Sequence, residues 1–396
     1  MTTTTSTDHV IYLDHQATTP VDPRVLDAML PHLTSAYGNP SSPHAYGRAA
    51  ADAVRAARHQ LRQLIGASTD SEIVFTSGAT EADHLAITGI ARALRDAGRH
   101  IITTAVEHKA VLAACQHLTR QGFRVSVIPA DADGLVNPAD IAAAITPATV
   151  LVSVMHASNE IGTIQPLAEI GQITRDHGVL LHTDAAQSLG SLAFNVDHLG
   201  VDLASFSAHK IYGPKGVGAL YIRRGTIRPV PQLTGGGQEY GMRAGTLNVP
   251  GIAGMGQAAA ILAAQRHVDA RRIAGLRDQM LAMLRQALPD ITVNGSLTRR
   301  LPGNLSITIP GTDADQLIEQ LPGLAISTGS ACNTGQSDPS HVLTAIGLGR
   351  SAARASIRIG LGRSTTPQDI LAAARQIADA ASSQRANAPA TRTAVA

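Results

Sequence analysis

The chain has 396 residues, with Lys+Arg 32 against Asp+Glu 30 for a formal charge of +2, and is 44% hydrophobic and 16% charged. That is enough apolar material for one large domain or two ordinary ones, and with no basic block it argues against both disorder and a nucleic-acid surface. Only 6 Tyr and 4 Phe are present, Tyr240 is the last of them, and the following 396 − 240 = 156 residues have only aliphatic side chains from which to build a core.

The N-terminal MTTTTSTDHV lacks the basic and apolar regions of a signal peptide, and no apolar stretch reaches bilayer length unbroken, so a cytoplasmic protein is expected. Residues 1–20 are expected to pack on a smaller domain or on a dimer surface. From residue 70 to about 225, β-rich runs alternate with helix-length segments: EIVFT, HIITTAVE, RVSVIPA, TVLVSVMHA, GVLLHTDAA, DLASFSAHK and VGALYIRR. Seven such runs predict an α/β fold, a mainly parallel seven-stranded sheet with helices on both faces, within a large domain spanning 21–250.

Ligands of such sheets sit at the carboxyl ends of the strands, which makes Thr76, Glu107, His108, His156, Asp184, Ser207, His209 and Lys210 site candidates. Beyond the turn at Gly235 to Gly237, residues 249–288 predict one long connector helix or two joined ones. The pattern then changes to LSITIP, a helix from Asp313, LAISTGS, a short helix from Ser340, ASIRIGL and a last helix opened by Thr366-Pro367. This reads as a smaller α+β domain, 251–382 with the connector, carrying a mobile cysteine loop. The tail 383–396 has too little apolar content to pack and is expected to be flexible.

The stretch SFSAHKIYGPKG ends a strand in Ser207, His209 and Lys210. Burial lowers a lysine's pKa toward that of a nucleophilic amine, which suits a Schiff-base lysine. Asp184 ends another strand 210 − 184 = 26 residues earlier, the separation of neighbouring strands joined by a crossover. Such a pair is what pyridoxal phosphate requires, lysine for the aldehyde and carboxylate for the pyridine nitrogen, though a structural Asp-Lys pair has the same spacing. Ser77-Gly78-Ala79-Thr80 follows a strand and opens a helix, the geometry of a phosphate cradle, and no G-x-x-x-x-G-K-[ST] is present. Of two cysteines, Cys115 lies among helical apolar residues as inert core, whereas Cys332 lies in STGSACNTGQSD, where a thiol is accessible.

Together YLDHQATTPVDPRV, FTSGATEAD, AVEHKAVL, SNEIGTIQP, HTDAAQS, SFSAHKIYGPKGVGALY, GGGQEYGMRAGT, STGSACNTG and SIRIGLGR resemble the cysteine desulfurases of the pyridoxal-phosphate class V aminotransferase superfamily, over roughly residues 11 to 380. The long form of the Cys332 loop resembles the iron-sulfur and nitrogenase-associated subgroup. The resemblance implies a type I pyridoxal-phosphate fold, with Lys210 bonded to the cofactor and Asp184 on its pyridine nitrogen. It further implies His108 stacked on the ring, Gln187 on the phenolic oxygen, and Ala79, Thr80, Ser207 and His209 around the phosphate. Thr246 would reach the phosphate of a neighbouring subunit, which implies a homodimer. Asn159 and Arg358 would hold the carboxylate of L-cysteine, and Cys332 would carry sulfur as a persulfide to an acceptor protein, an iron-sulfur scaffold or a thiolation enzyme. No metal site is expected, beyond possible contact of Cys332 with an iron-sulfur or other sulfur acceptor.

The chain departs from the common family pattern at Ser158, Ala208 and Ser364, none of them a proposed catalytic group. Rival readings are a selenocysteine lyase, another class V pyridoxal-phosphate enzyme, a non-catalytic scaffold or a Cys-His hydrolase. The STGSAC setting of Cys332, the retained Lys210, Asp184 and His108, and the lack of a nucleophile elbow speak against them in turn.

Overall fold

The computed structural model describes residues 10–328 and 339–387. Strand β1 (Ile11–Tyr12) is followed by helices α1 (Pro23–Thr34) and α2 (Ala45–Ile65). The alternating region then gives β2 (Ile73–Thr76), α3 (Ala79–Ala93), β3 (His100–Thr104), α4 (Lys109–Thr119), β4 (Arg124–Ile128), α5 (Pro138–Ala144), β5 (Thr149–Ser153) and α6 (Leu167–Asp176). It closes with β6 (Leu180–Asp184), α7 (Val196–Leu199), β7 (Leu203–Ser207) and β8 (Gly218–Ile222).

These seven runs, β2 to β8, form one sheet in the order β2-β8-β7-β6-β5-β3-β4. β8 is antiparallel to both neighbours and the other pairs are parallel. Both faces are covered, so the central strands read as continuous apolar runs and not as alternating ones. One face packs on α3 and α4, around Leu85, Ile101, Val111, Leu151 and Leu203. The other joins Phe75, Ile102, Val152 and Leu181 to α2, α6 and the first part of the helix described next.

Helix α8 (Val249–Ala287) is a single helix of 39 residues, capped by Asn248, whose side chain accepts from the Gly251 amide. Its two halves serve different cores: Val249 to Leu262 pack with α2 and the sheet, while Ile273 to Leu284 pack in a second core with residues 288–381. The change of packing partner thus falls inside the helix and not at its start, where Asn248-Val249-Pro250 punctuates the sequence. A helix long enough to leave one core can enter another without a break in its hydrogen bonds.

The second core is built by β9 (Thr292–Val293), β10 (Asn304–Thr308), α9 (Ala314–Glu319), β11 (Leu324–Ala325), α10 (His341–Ala345), α11 (Arg350–Arg354), β12 (Ser356–Gly360) and α12 (Pro367–Asn387). It is aliphatic throughout, including Ile370, Ala374, Ile377 and Ala381 on one face of α12. β10 pairs antiparallel with both β12 and β9, and β1 pairs parallel with β11. The expectation of a flexible tail from residue 383 fails for its first turn: α12 continues to Asn387. There Gln384 accepts from the Asp313 amide at 2.7 Å, and Arg385 reaches Pro310 O and Asp290. Polar side chains docked on backbone groups replace the apolar contacts whose scarcity suggested disorder. Residues 388–396 lie outside the described residues.

Among the described residues no helix is long and apolar enough to cross a membrane.

Candidate active site

At the carboxyl ends of the parallel strands a cleft of about 610 Å³ opens between the sheet and the second core. Of the residues expected at the site, Ala79, Thr80, His108, Asn159, Asp184, Gln187, Ser207, His209, Lys210 and Arg358 all line it. Thr246 is exposed and does not line it, and Cys332 lies outside the described residues. Three strand-end candidates turn inward instead, among them Thr76, whose Oγ1 donates to Gly78 O at 2.9 Å. Glu107 and His156 are buried beneath the cleft, where burial raises the Glu107 carboxyl to about 8 and lowers the His156 imidazole to about 4.

Asp184 is the last residue of β6, and its Oδ1 accepts from the Ala186 amide at 2.9 Å. Lys210 closes the short turn after β7, and its Nζ donates to Ala17 O at 2.8 Å and to Gln16 O. Gln187 Nε2 donates to the same Gln16 carbonyl at 2.9 Å. The turn at residues 14–18 therefore forms one wall of the cleft, although the sequence motif YLDHQATTPVDPRV names no site residue there. Its signal was available in the polar run DHQATTP, which is too dense in hydrogen-bonding groups for a plain strand connection.

His108 caps helix α4: its Nδ1 accepts from the Ala110 amide at 3.2 Å, which places the proton of a neutral ring on Nε2. His209 bonds Thr18 Oγ1 through Nδ1 at 3.0 Å. Burial, with help from the Lys210 and Lys215 charges, pushes its imidazole down to about 4, so it is neutral at pH 7. At the other end, β2 turns through Ser77 and Gly78 into α3, and Glu81 ties this turn together by accepting from the Ser77 amide at 2.7 Å and from Arg243 at 2.9 Å. First-turn amides of a helix have no acceptor within it, and they open on the cleft beside Ser207 and His209.

A buried polar layer that sequence reasoning missed lies behind Asp184. His182, on the same face of β6, bonds Ser153 on one side at 2.8 Å and Ser205 on the other at 3.0 Å, and Asp83 from α3 approaches it at 3.6 Å. Burial, with repulsion from Asp184, drives the Asp83 carboxyl well above its usual range, and burial lowers His182 to about 3. In both groups burial thus favours the uncharged form.

Arg358 on β12 faces the cleft from the second core, only 2% exposed. Its Nη1 donates to Asn159 O at 3.1 Å and its Nη2 to Asp14 Oδ1 at 2.7 Å. Glu160, Lys109 and His341 stand nearby in the lining. Ser340 Oγ donates to the Glu160 carboxyl, and the His341 ring bonds Glu107 O at 2.9 Å.

The cleft thus brings an amine, a carboxylate, an imidazole and a helix N-terminus together on one side and a buried guanidinium on the other. Residues 11–372 match the aminotransferase class-V family. The chain is 49% identical to the cysteine desulfurase IscS of Anaeromyxobacter dehalogenans (strain 2CP-C) over 362 residues, 91% of this chain and 89% of that protein. Among solved structures it is similar to a NifS-like protein, 37% identical with a TM-score of 0.88, covering 94% of this chain and 99% of the other. It is also similar to SspA in complex with cysteine, 37% identical with a TM-score of 0.79, covering 89% and 98% respectively.

The chain belongs to the class-V aminotransferase family of pyridoxal-phosphate enzymes. Within it, this protein is a cysteine desulfurase, with pyridoxal 5'-phosphate as cofactor. The side chains present fit that cofactor: Lys210 can bond the aldehyde, and Asp184 and Gln187 offer an acid and an amide for the ring. The α3 terminus with Ser207 suits the phosphate. Gly218 preserves this arrangement, since a Cβ there would stand 2.6 Å from the Gly78 backbone.

Proposed function

We propose that the chain works as a cytoplasmic homodimer that removes sulfur from L-cysteine, leaves L-alanine and passes the sulfur through Cys332 to an acceptor protein. The observation that carries this reading is that Lys210, Asp184 and His108 share one cleft of about 610 Å³ with Arg358, room for a cofactor together with an amino acid. When bound, pyridoxal phosphate supplies the electron sink that weakens bonds at the substrate's α- and β-carbons.

In this reading Arg358 binds the substrate carboxylate through its planar fork, with Asn159 beside it, and so fixes which bonds face the ring. Lys210 takes and returns the α-proton. Asp184 holds the pyridine nitrogen protonated, with the buried Asp83–His182 pair behind it. His108 covers the ring and offers its Nε2 proton to a leaving or arriving group. The Cys332 thiolate attacks the substrate sulfur: the carbon–sulfur bond breaks, a sulfur–sulfur bond forms on Cys332, and the carbon takes up a proton to become alanine. Transfer to an acceptor thiol then restores Cys332. The exposed Thr246 suits a contact with the phosphate of a second subunit.

Lys210→Ala is expected to abolish both the visible absorption of the holoenzyme and alanine formation. Cys332→Ala is expected to keep the colour, stop sulfide release and lose the single added sulfur atom seen by intact-mass measurement. Full turnover by the Cys332 variant would overturn the persulfide route.

A further inference from the structure

We propose that Asp14 is a positioning residue for substrate binding, holding the Arg358 guanidinium in the orientation that receives the amino-acid carboxylate. The proposal rests on the reading of Arg358 as the carboxylate anchor. Asp14 Oδ1 lies 2.7 Å from Arg358 Nη2, and the Arg358 side chain is 2% exposed against 18% for Asp14. A guanidinium with this little access to water needs hydrogen-bond acceptors that fix its plane before substrate arrives.

The backbone delivers Asp14 to that place. Residues 13–15 run beside β12, with the Gly360 amide bonded to Leu13 O and the His15 amide to Gly360 O at 3.1 Å. Gly360 is what permits the approach, because a Cβ there would stand 2.0 Å from Gln16 Oε1 and 2.8 Å from the His15 amide nitrogen. Along the same edge of β12, the one away from β10, Arg358 pairs through its backbone with Ser327. The arginine is held by its main chain on one flank and by its side chain on the other two, Asn159 O and Asp14.

The same turn also links the two halves of the site. Asp14 O accepts from the Ala17 amide at 2.9 Å, and the carbonyls of Gln16 and Ala17 take the Lys210 ammonium. One five-residue segment, 14–18, therefore sets the substrate anchor with a side chain and contacts the cofactor lysine with its backbone.

The test uses holoenzyme and two probes that lack a transferable sulfur: L-alanine, which has the carboxylate, and L-alaninamide, which does not. Their dissociation constants are read from the change each makes in the visible absorption of the cofactor. Asp14→Ala is expected to weaken L-alanine by about tenfold, the effect of losing one charge-assisted hydrogen bond, and to leave L-alaninamide unchanged. Asp14→Asn, whose amide oxygen accepts the same bond, is expected to restore most of the loss, and L-cysteine KM is expected to follow the same order with little change in kcat. Unchanged L-alanine binding in Asp14→Ala, equal weakening of both probes, or no rescue by Asn overturns the proposal. Arg358→Ala separates the two levels. If it loses the preference for L-alanine while Asp14→Ala keeps it, Asp14 alone is misassigned; if Arg358→Ala keeps the preference, the carboxylate anchor is wrong and the proposal falls with it. Asp14→Ser gives the same comparison should the alanine variant not accumulate as folded protein.

Discussion

Strand β2 is the edge of the main sheet next to the Ser77–Thr80 turn, and its outward backbone groups are sealed by two charged side chains rather than by another strand. Glu239 accepts from the Phe75 amide at 2.7 Å, and Arg58 donates to Ile73 O. The two side chains pair with each other at 2.9 and 2.6 Å, with the Arg58 side chain 8% exposed and that of Glu239 1%. Glu239→Ala would leave a buried guanidinium without its carboxylate and the Phe75 amide without its acceptor. Breaking a buried pair in this way costs about 3–5 kcal/mol, a large share of the ~5–15 kcal/mol net stability usual for a folded protein. Arg58→Met is expected to cost about as much, while the double variant Arg58→Met/Glu239→Leu is expected to cost less than the sum, because it removes both charges together. Urea titration of the holoenzyme followed by far-ultraviolet circular dichroism measures all three. Because β2 runs straight into the turn that opens on the phosphate end of the cleft, cofactor retention on dialysis is expected to fall in step. Single costs below about 1 kcal/mol, or costs that add without coupling, would refute the edge-sealing argument.

Gly218→Ala places a Cβ 2.5 Å from Phe206 O and 2.6 Å from the Gly78 backbone. It is expected to cost about 1–3 kcal/mol by overpacking and to loosen cofactor binding, measured by the absorbance retained after gel filtration. Glu107 is buried and stays protonated up to about pH 8, whereas its unfolded form ionises near 4.5, so its contribution to stability falls as pH rises through that window. Glu107→Gln is expected to remove this loss, and its advantage over wild type in thermal melts should grow from pH 5 to pH 8; an advantage independent of pH would contradict it. Burial pushes the Cys115 thiol up to about 12, so it is expected to resist maleimide at neutral pH. Labelling of native enzyme should then stop at one equivalent, and Cys332→Ala should take up none, as read by intact mass.

The sheet was legible in the sequence, and so was the gathering of most candidate site residues along one cleft. The seven β-rich runs became β2 to β8 because a buried, mainly parallel sheet needs continuous apolar strands, and that pattern is local. Asp184, Ser207 and Lys210 were legible because strand ends converge at one edge of such a sheet whatever its strand order. Even the aromatic-free second core announced itself through Ile370, Ala374 and Ile377 at helical spacing. What only the tertiary structure decided are contacts between residues far apart in the chain. Asp14 meets Arg358 across 344 positions, Glu239 meets Arg58 across 181, and Asp83 meets His182 between a helix and a strand. Glu107 and His156 looked like His108 in the sequence and were turned inward by packing. Charge and hydrogen-bonding capacity are written in residue identity, but which partner satisfies them depends on how the two cores are laid against each other, and no local period encodes that.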